Sequence, residues 1–198
     1  VTPIANNCEG ETFEVIVTVI PNTSLTPVSD IVLCNGDIQN EIVFGNSTTG
    51  SLYKWSSNNL NIGIPGSGSD KISLFTAVNN GKTPEEATIT VESNNELGNS
   101  SCDVSQIQFS ILVNPSAQVN NPGTQNVCSG EDITLPFTTL NSGGTTTYEW
   151  TNSNENIGLE SSGTGDINFN SVNNEDSIIT AIISVTPTFT NNGLSCNG

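Results

Sequence analysis

The sequence predicts an all-β fold: two tandem β-sandwich units strung into an extended array. Three observations carry that prediction. Rare residues recur at one spacing, apolar and polar residues alternate with period two in short runs, and clusters of Gly, Asn, Ser and Pro separate the runs. Cys8, Cys102 and Cys196 stand 94 positions apart, as do Cys34 and Cys128, and Pro21 and Pro115; Trp55 and Trp150 stand 95 apart. A fixed long period identifies repeated units before any local assignment is made. Whole segments agree as well. Tyr53-Lys54-Trp55 matches Tyr148-Glu149-Trp150, and Asn61-Ile62-Gly63 matches Asn156-Ile157-Gly158.

The phase of the repeat sets the expected units. Residues 22–116 form the first β-sandwich repeat, residues 117–198 form the second without its last strand, and residues 1–21 are the last strand of an upstream repeat. On that reading the chain is a slice of a longer array. The alternative is that strand 12–20 completes the open second repeat of another molecule by strand donation.

Taken in order, the strands come from alternation. After 12–20 they are expected at 42–44, 52–56, 72–78, 87–91 and 107–113, then at 133–138, 146–151, 167–172 and 177–186. Ile107, Phe109, Ile111 and Val113 against Gln108 and Ser110 is a half-buried pattern, as is Ala87, Ile89 and Val91 against Thr88 and Thr90. Pro136 conflicts with its run, because Pro belongs on an edge or at a bulge. Trp55 and Trp150 fall in the third strand of each sandwich, where an inward indole buries on the order of 200 Å². With Tyr53 and Tyr148 they are assigned to the core in preference to a sugar-stacking platform.

Composition removes several classes of function. The chain carries 20 Asp and Glu, 3 Lys, no Arg and no His, for a formal charge of −17. Without His there is no ready proton shuttle near neutral pH and no imidazole metal ligand. Nucleic acid is a poor partner, because a surface of this sign repels phosphates. No apolar run approaches the roughly 18 residues needed to span a bilayer. The expectation is therefore no enzyme, no catalytic residue, no cofactor, no membrane span in this fragment, and like charge on successive units that favours extension.

Further along, the residues resemble a known family. Tyr-Xaa-Trp followed by Ser or Thr, Asn-Xaa-Gly, a Ser-Gly-(Ser/Thr) turn, Val185-Thr186-Pro187, Cys196-Asn197-Gly198 and Asn114-Pro115 together are similar to the PKD-like, immunoglobulin-like repeats of very large secreted adhesins of gliding Bacteroidetes-type bacteria, the SprB-like proteins. The first repeat departs from the pattern at Lys54 and over 65–70. The resemblance implies tandem immunoglobulin-like sandwiches outside the cell, at its surface, serving adhesion or gliding. Their partners would be neighbouring repeats of the same chain and surface polysaccharide. A carbohydrate-binding or accessory spacer module of a secreted polysaccharide-active protein is the alternative.

Five Cys at repeat-locked positions in such a chain read as disulfide candidates: Cys8, Cys34, Cys102, Cys128 and Cys196. In an immunoglobulin-like order Cys34 and Cys102 lie at opposite ends of one sandwich, so Cys34 with Cys196 becomes an inter-repeat staple. A displaced first strand restores Cys34–Cys102 and Cys128–Cys196 instead, and the connectivity stays open. Asp37, Asp132 and Glu131 are the weak calcium candidates, with Asp30 and Asp103 in nearby loops; a solvated acidic face is the preferred reading. Glu85-Glu86 and Glu131-Asp132 are adjacent carboxylate pairs, but neighbours in a strand face opposite ways and do not share a substrate. Asn22, Asn46 and Asn99 match a glycosylation sequon that is accidental in a bacterial chain, while Ser177 in Asp176-Ser177-Ile178 is a candidate O-glycan site.

Overall fold

The structure, a computed structural model, describes residues 1–19, 22, 24–45, 52–94, 96–97, 100–101 and 105–198. Cys102, Asp103, Asn46, Asn99 and the end of the 12–20 strand lie outside the described residues. The chain opens on a small hairpin, β1 (Ile4–Ala5) with β2 (Cys8–Glu9), turned by Asn6 and Asn7 at positive φ. Then come β3 (Ile31–Cys34), β4 (Ile38–Gln39), β5 (Ile42–Val43), β6 (Leu52–Ser57), β7 (Ser67–Ser69), β8 (Lys71–Ile72), β9 (Phe75–Thr76), β10 (Glu85–Asn94), β11 (Glu96–Leu97), β12 (Ser100–Ser101) and β13 (Ser105–Asn114).

Five of these strands make one sheet in the order β3-β13-β10-β6-β7, with β3 parallel to β13 and the other pairs antiparallel. Two short ladders, β4–β9 and β5–β8, supply the facing layer. The core between them joins Ile42, Ile72 and Phe75 to Trp55, Ile89, Val91, Phe109, Ile111 and Val113, all less than a tenth exposed. Alternation builds this core directly. Ala87, Ile89 and Val91 point inward at 0 % exposure, while Thr88 and Thr90 between them are half-buried on the other face.

The second half repeats the plan with β14 (Asp132–Leu135), β15 (Thr145–Asn152), a 3-10 turn at Glu155–Ile157, β16 (Ser162–Thr164), β17 (Ile167–Asn170), β18 (Ile183–Asn191) and β19 (Leu194–Asn197). Its sheet runs β16-β15-β18-β19, and β14 pairs with β17. A second hydrophobic cluster forms on Phe137, Trp150, Leu159 and Ile167, with Tyr148, Ile183 and Val185 packed against it. The chain is thus nearly all β, with two cores in series.

Several strand expectations need correction. Residues 12–19 join no ladder and are exposed throughout; only Phe13 is held, its carbonyl accepting from the Val1 amino group at 2.8 Å. The run 133–138 stops at Leu135, because Pro136 has no N–H to continue a ladder. The run 72–78 is two short strands, β8 and β9. The Ser-Gly-(Ser/Thr) segments are strands β7 and β16, not turns. The run 177–186 becomes Ile183–Asn191, starting later and ending later. In the first half, residues 85–88 are held by 110–113 of β13; no strand holds the corresponding residues 179–182 among the described residues.

Candidate functional site

The junction between the halves is tied by a disulfide and by hydrogen bonds. Cys34 at the end of β3 and Cys196 on β19 form a disulfide with Cα atoms 5.5 Å apart and a separation of 162 positions in sequence. Of the pairings that the sequence leaves open, this is the inter-repeat staple. Asn114, fully buried, donates through Nδ2 to the Asn191 carbonyl at 3.2 Å and accepts from Asn191 Nδ2 at 3.0 Å. On the other side, the Lys82 carbonyl accepts from the Ser142 N–H at 3.0 Å, and Lys82 Nζ donates to Gln118 Oε1. Asn141 Oδ1 accepts from the Gln118 N–H at 2.7 Å. A Cβ on Gly143, whose φ is +81°, would stand 2.8 Å from Pro84 Cδ. Asn114 is visible in sequence as half of Asn114-Pro115. Asn191, Lys82 and Asn141 carry no signal of their own, because what matters is which residues the fold brings opposite them.

The turn that presents Cys34 is built by local hydrogen bonds. Asp37 Oδ2 accepts from the Cys34 N–H at 2.8 Å, the Asp37 N–H donates to the Cys34 carbonyl at 3.0 Å, and Gly36 adopts φ of 90°. The same turn recurs around Cys128. Glu131 Oε2 accepts from the Cys128 N–H at 3.1 Å, Gly130 has φ of 92°, and its N–H donates to Ser171 as that of Gly36 does to Ala77. The counterpart of Asp37 is therefore Glu131, 94 positions on, and not its neighbour Asp132. Asp132 instead accepts from Asn170 Nδ2 at 3.0 Å on β14. Asp37 and Glu131 close turns and Asp132 braces a strand pair, and among the described residues no three His, Cys, Asp or Glu are grouped to hold a metal. Cys8 and Cys128 are exposed free thiols. Asp30 accepts from the Ser110 N–H at 2.7 Å, and Ser177 is exposed.

The tryptophans occupy like surroundings. Trp55 lies opposite Gly68 and Trp150 opposite Gly163 in their strand pairs. A Cβ on Gly68 would sit 2.8 Å from the Trp55 ring, and one on Gly163 would sit 2.3 Å from Trp150 Cζ2. Both indoles are less than a tenth exposed. Tilted ring pairs accompany them, Phe44 with Tyr53 at 6.2 Å and Phe137 with Tyr148 at 5.5 Å. One difference matters: Trp55 Nε1 donates to the Lys71 carbonyl at 3.0 Å, whereas buried Trp150 Nε1 has no partner among the described residues. Burial, helped by the Asp166 carboxylate, pushes the Tyr148 phenol above its ordinary value. Over Trp150 the sheet carries a shallow open depression of about 290 Å³, edged by Glu149 and by the hydroxyls of Ser162, Thr164, Ser184 and Thr186.

Among the described residues no helix is long and apolar enough to cross a membrane. The disulfide fits an oxidising, non-cytoplasmic compartment. Comparison of the chain with protein-family models finds no match, and comparison with curated proteins finds none.

Proposed function

We propose that this chain is a structural segment of a long extracellular adhesin filament, made of tandem immunoglobulin-like sandwiches that extend and space the adhesive part during surface adhesion or gliding. The observation that carries the reading is the Cys34–Cys196 disulfide. It ties the first half to the second, so tension applied at the chain ends passes from Cys34 to Cys196 through a covalent short cut. Residues between the two cysteines then bear none of the load, and of the two cores only the Leu25 to Leu33 edge of the first lies on its path. That property suits a filament under drag. The acidic charge along both halves, through mutual repulsion, keeps such a segment extended and soluble.

Single-molecule stretching tests the reading. Oxidised protein is expected to release no length from the segment inside the disulfide. Reduced protein should release most of its 162 residues, which at about 3.3–3.6 Å each gives on the order of 550 Å. Equal extension in both states would overturn the mechanical role.

The depression over Trp150, with its row of hydroxyls, favours one second reading, a polysaccharide-binding module. Indole emission that stays unchanged on titration with surface glycans would remove it; a saturable shift would replace the spacer role.

A further inference from the structure

The outward faces of the two main sheets carry different chemistry at matching places. In the first half Lys54 stands opposite Glu92, Gln106 Nε2 donates to Glu92 Oε1 at 3.0 Å, and Gln108 Nε2 donates to Thr90 Oγ1 at 3.1 Å. That face answers its own charges and amides. In the second half Lys54 is replaced by Glu149 and Glu92 by Thr186, again opposite each other. Two cross-strand rows result, Thr164-Glu149-Thr186 and Ser162-Thr151-Ser184, running over β16, β15 and β18. All six residues are exposed and all six edge the depression of about 290 Å³. None of their side chains has a hydrogen-bond partner among the described residues. Beyond them β15 and β18 continue outward with Thr147 opposite Thr188 and Thr145 opposite Thr190.

This face is nearly free of charge on a chain of net charge −17. Glu149 is the one ionisable residue on it, and residues 117–198 contain no Lys or Arg to neutralise that carboxylate. A carboxylate only accepts hydrogen bonds, whereas each Thr or Ser hydroxyl both donates and accepts. One acceptor-only group set among hydroxyls fits a ligand that brings neighbouring hydroxyls of its own. We propose that the outer face of β16, β15 and β18 binds an uncharged polysaccharide chain, with two adjacent sugar hydroxyls donating to Glu149 and others exchanging bonds with the two rows. The inference rests on the polysaccharide-binding reading given above and adds to it the site and the class of polymer.

Three properties of the face select that class. An acidic polymer is repelled by the net charge and finds no cation here to hold it. A flat crystalline surface does not follow a sheet, because successive strands are rotated by roughly 20–25°, whereas a single flexible chain does. No aromatic ring points outward from these strands, since Tyr148, Trp150 and Phe189 belong to the inward face. Selectivity therefore comes from the hydroxyls and the carboxylate, not from ring stacking.

Electrophoresis of the full chain through native gels that hold dextran, mannan or alginate tests the proposal, each mobility being referred to that in a polymer-free gel. At least one neutral polymer should slow the protein and alginate should not. The double variant Glu149→Lys/Thr186→Glu copies the Lys54–Glu92 pair of the first half, so the sheet accepts it, and it should migrate as if no polymer were present. Glu149→Gln should lose much of the retardation, because an amide nitrogen replaces one acceptor oxygen. Slowing by alginate overturns the uncharged class. Retardation that is unchanged in the double variant overturns this face and leaves the polysaccharide-binding reading standing. Retardation unchanged in Glu149→Gln alone overturns the role of the carboxylate. If neither neutral polymer slows the chain, that reading falls and the face falls with it.

Discussion

At the scale of single residues, the strongest constraint is the pairing of each tryptophan with a glycine. An indole lying flat across the neighbouring strand leaves no room for a Cβ, so Gly68 and Gly163 are required by closeness to the ring; neither has positive φ. Gly68→Val and Gly163→Val should each cost about 1–3 kcal/mol in denaturant unfolding. The Gly163 change should be the larger, because its ring contact is closer. Tyr148 offers a second check. Its phenol is held above the ordinary value of 10.0 in the folded chain, so above pH 10 the unfolded chain loses this proton while the folded chain retains it. Fewer protons on the unfolded state means that stability is present below pH 10 and falls as pH rises beyond it. Tyr148→Phe should flatten that alkaline decline, measured as the denaturation midpoint against pH.

At the scale of elements, local chemistry decides where strands stop and neighbours decide whether they form. Pro136 ends β14 because it lacks a donor, and that much is readable from composition. The turns at Cys34 and Cys128 are likewise local, since a carboxylate three residues on accepts from the cysteine N–H. Asp37→Ala and Glu131→Ala should each cost about 1 kcal/mol. Asp37→Ala should also raise the reducibility of the disulfide, monitored by thiol release against a graded reductant. Residues 12–19 carry Phe13, Val15, Val17 and Val19 in the alternation of β13 yet join no ladder among the described residues, because alternation only describes a face. A ladder also needs a partner edge, and the missing partner is invisible in a window of ten residues.

At the scale of the molecule, the disulfide and the two asparagine contacts between Asn114 and Asn191 join two cores that are separate clusters. Closing a loop of 162 residues restricts the unfolded chain enough to be worth about 5 kcal/mol in the chain-entropy account. The variant Cys34→Ser/Cys196→Ser should lose stability of that order in denaturant, with the β-signal of the folded state unchanged. Should unfolding also split into two transitions, one per core, the junction is what couples the halves; a single transition would show that packing couples them without it.

By itself the sequence determined the repeat, the inward faces of β6, β10, β13 and β15, the core placement of Trp55 and Trp150, and the short list from which the staple was drawn. These rest on side-chain type and spacing, which act over a few residues and recur with the period. Only the tertiary structure decided which cysteines meet, that Asp37 and Glu131 each close a turn on the cysteine before them, and that residues 12–19 and 177–182 pair with no strand among the described residues. Those depend on distances between residues remote in sequence, and such distances exist only once the sheets have closed.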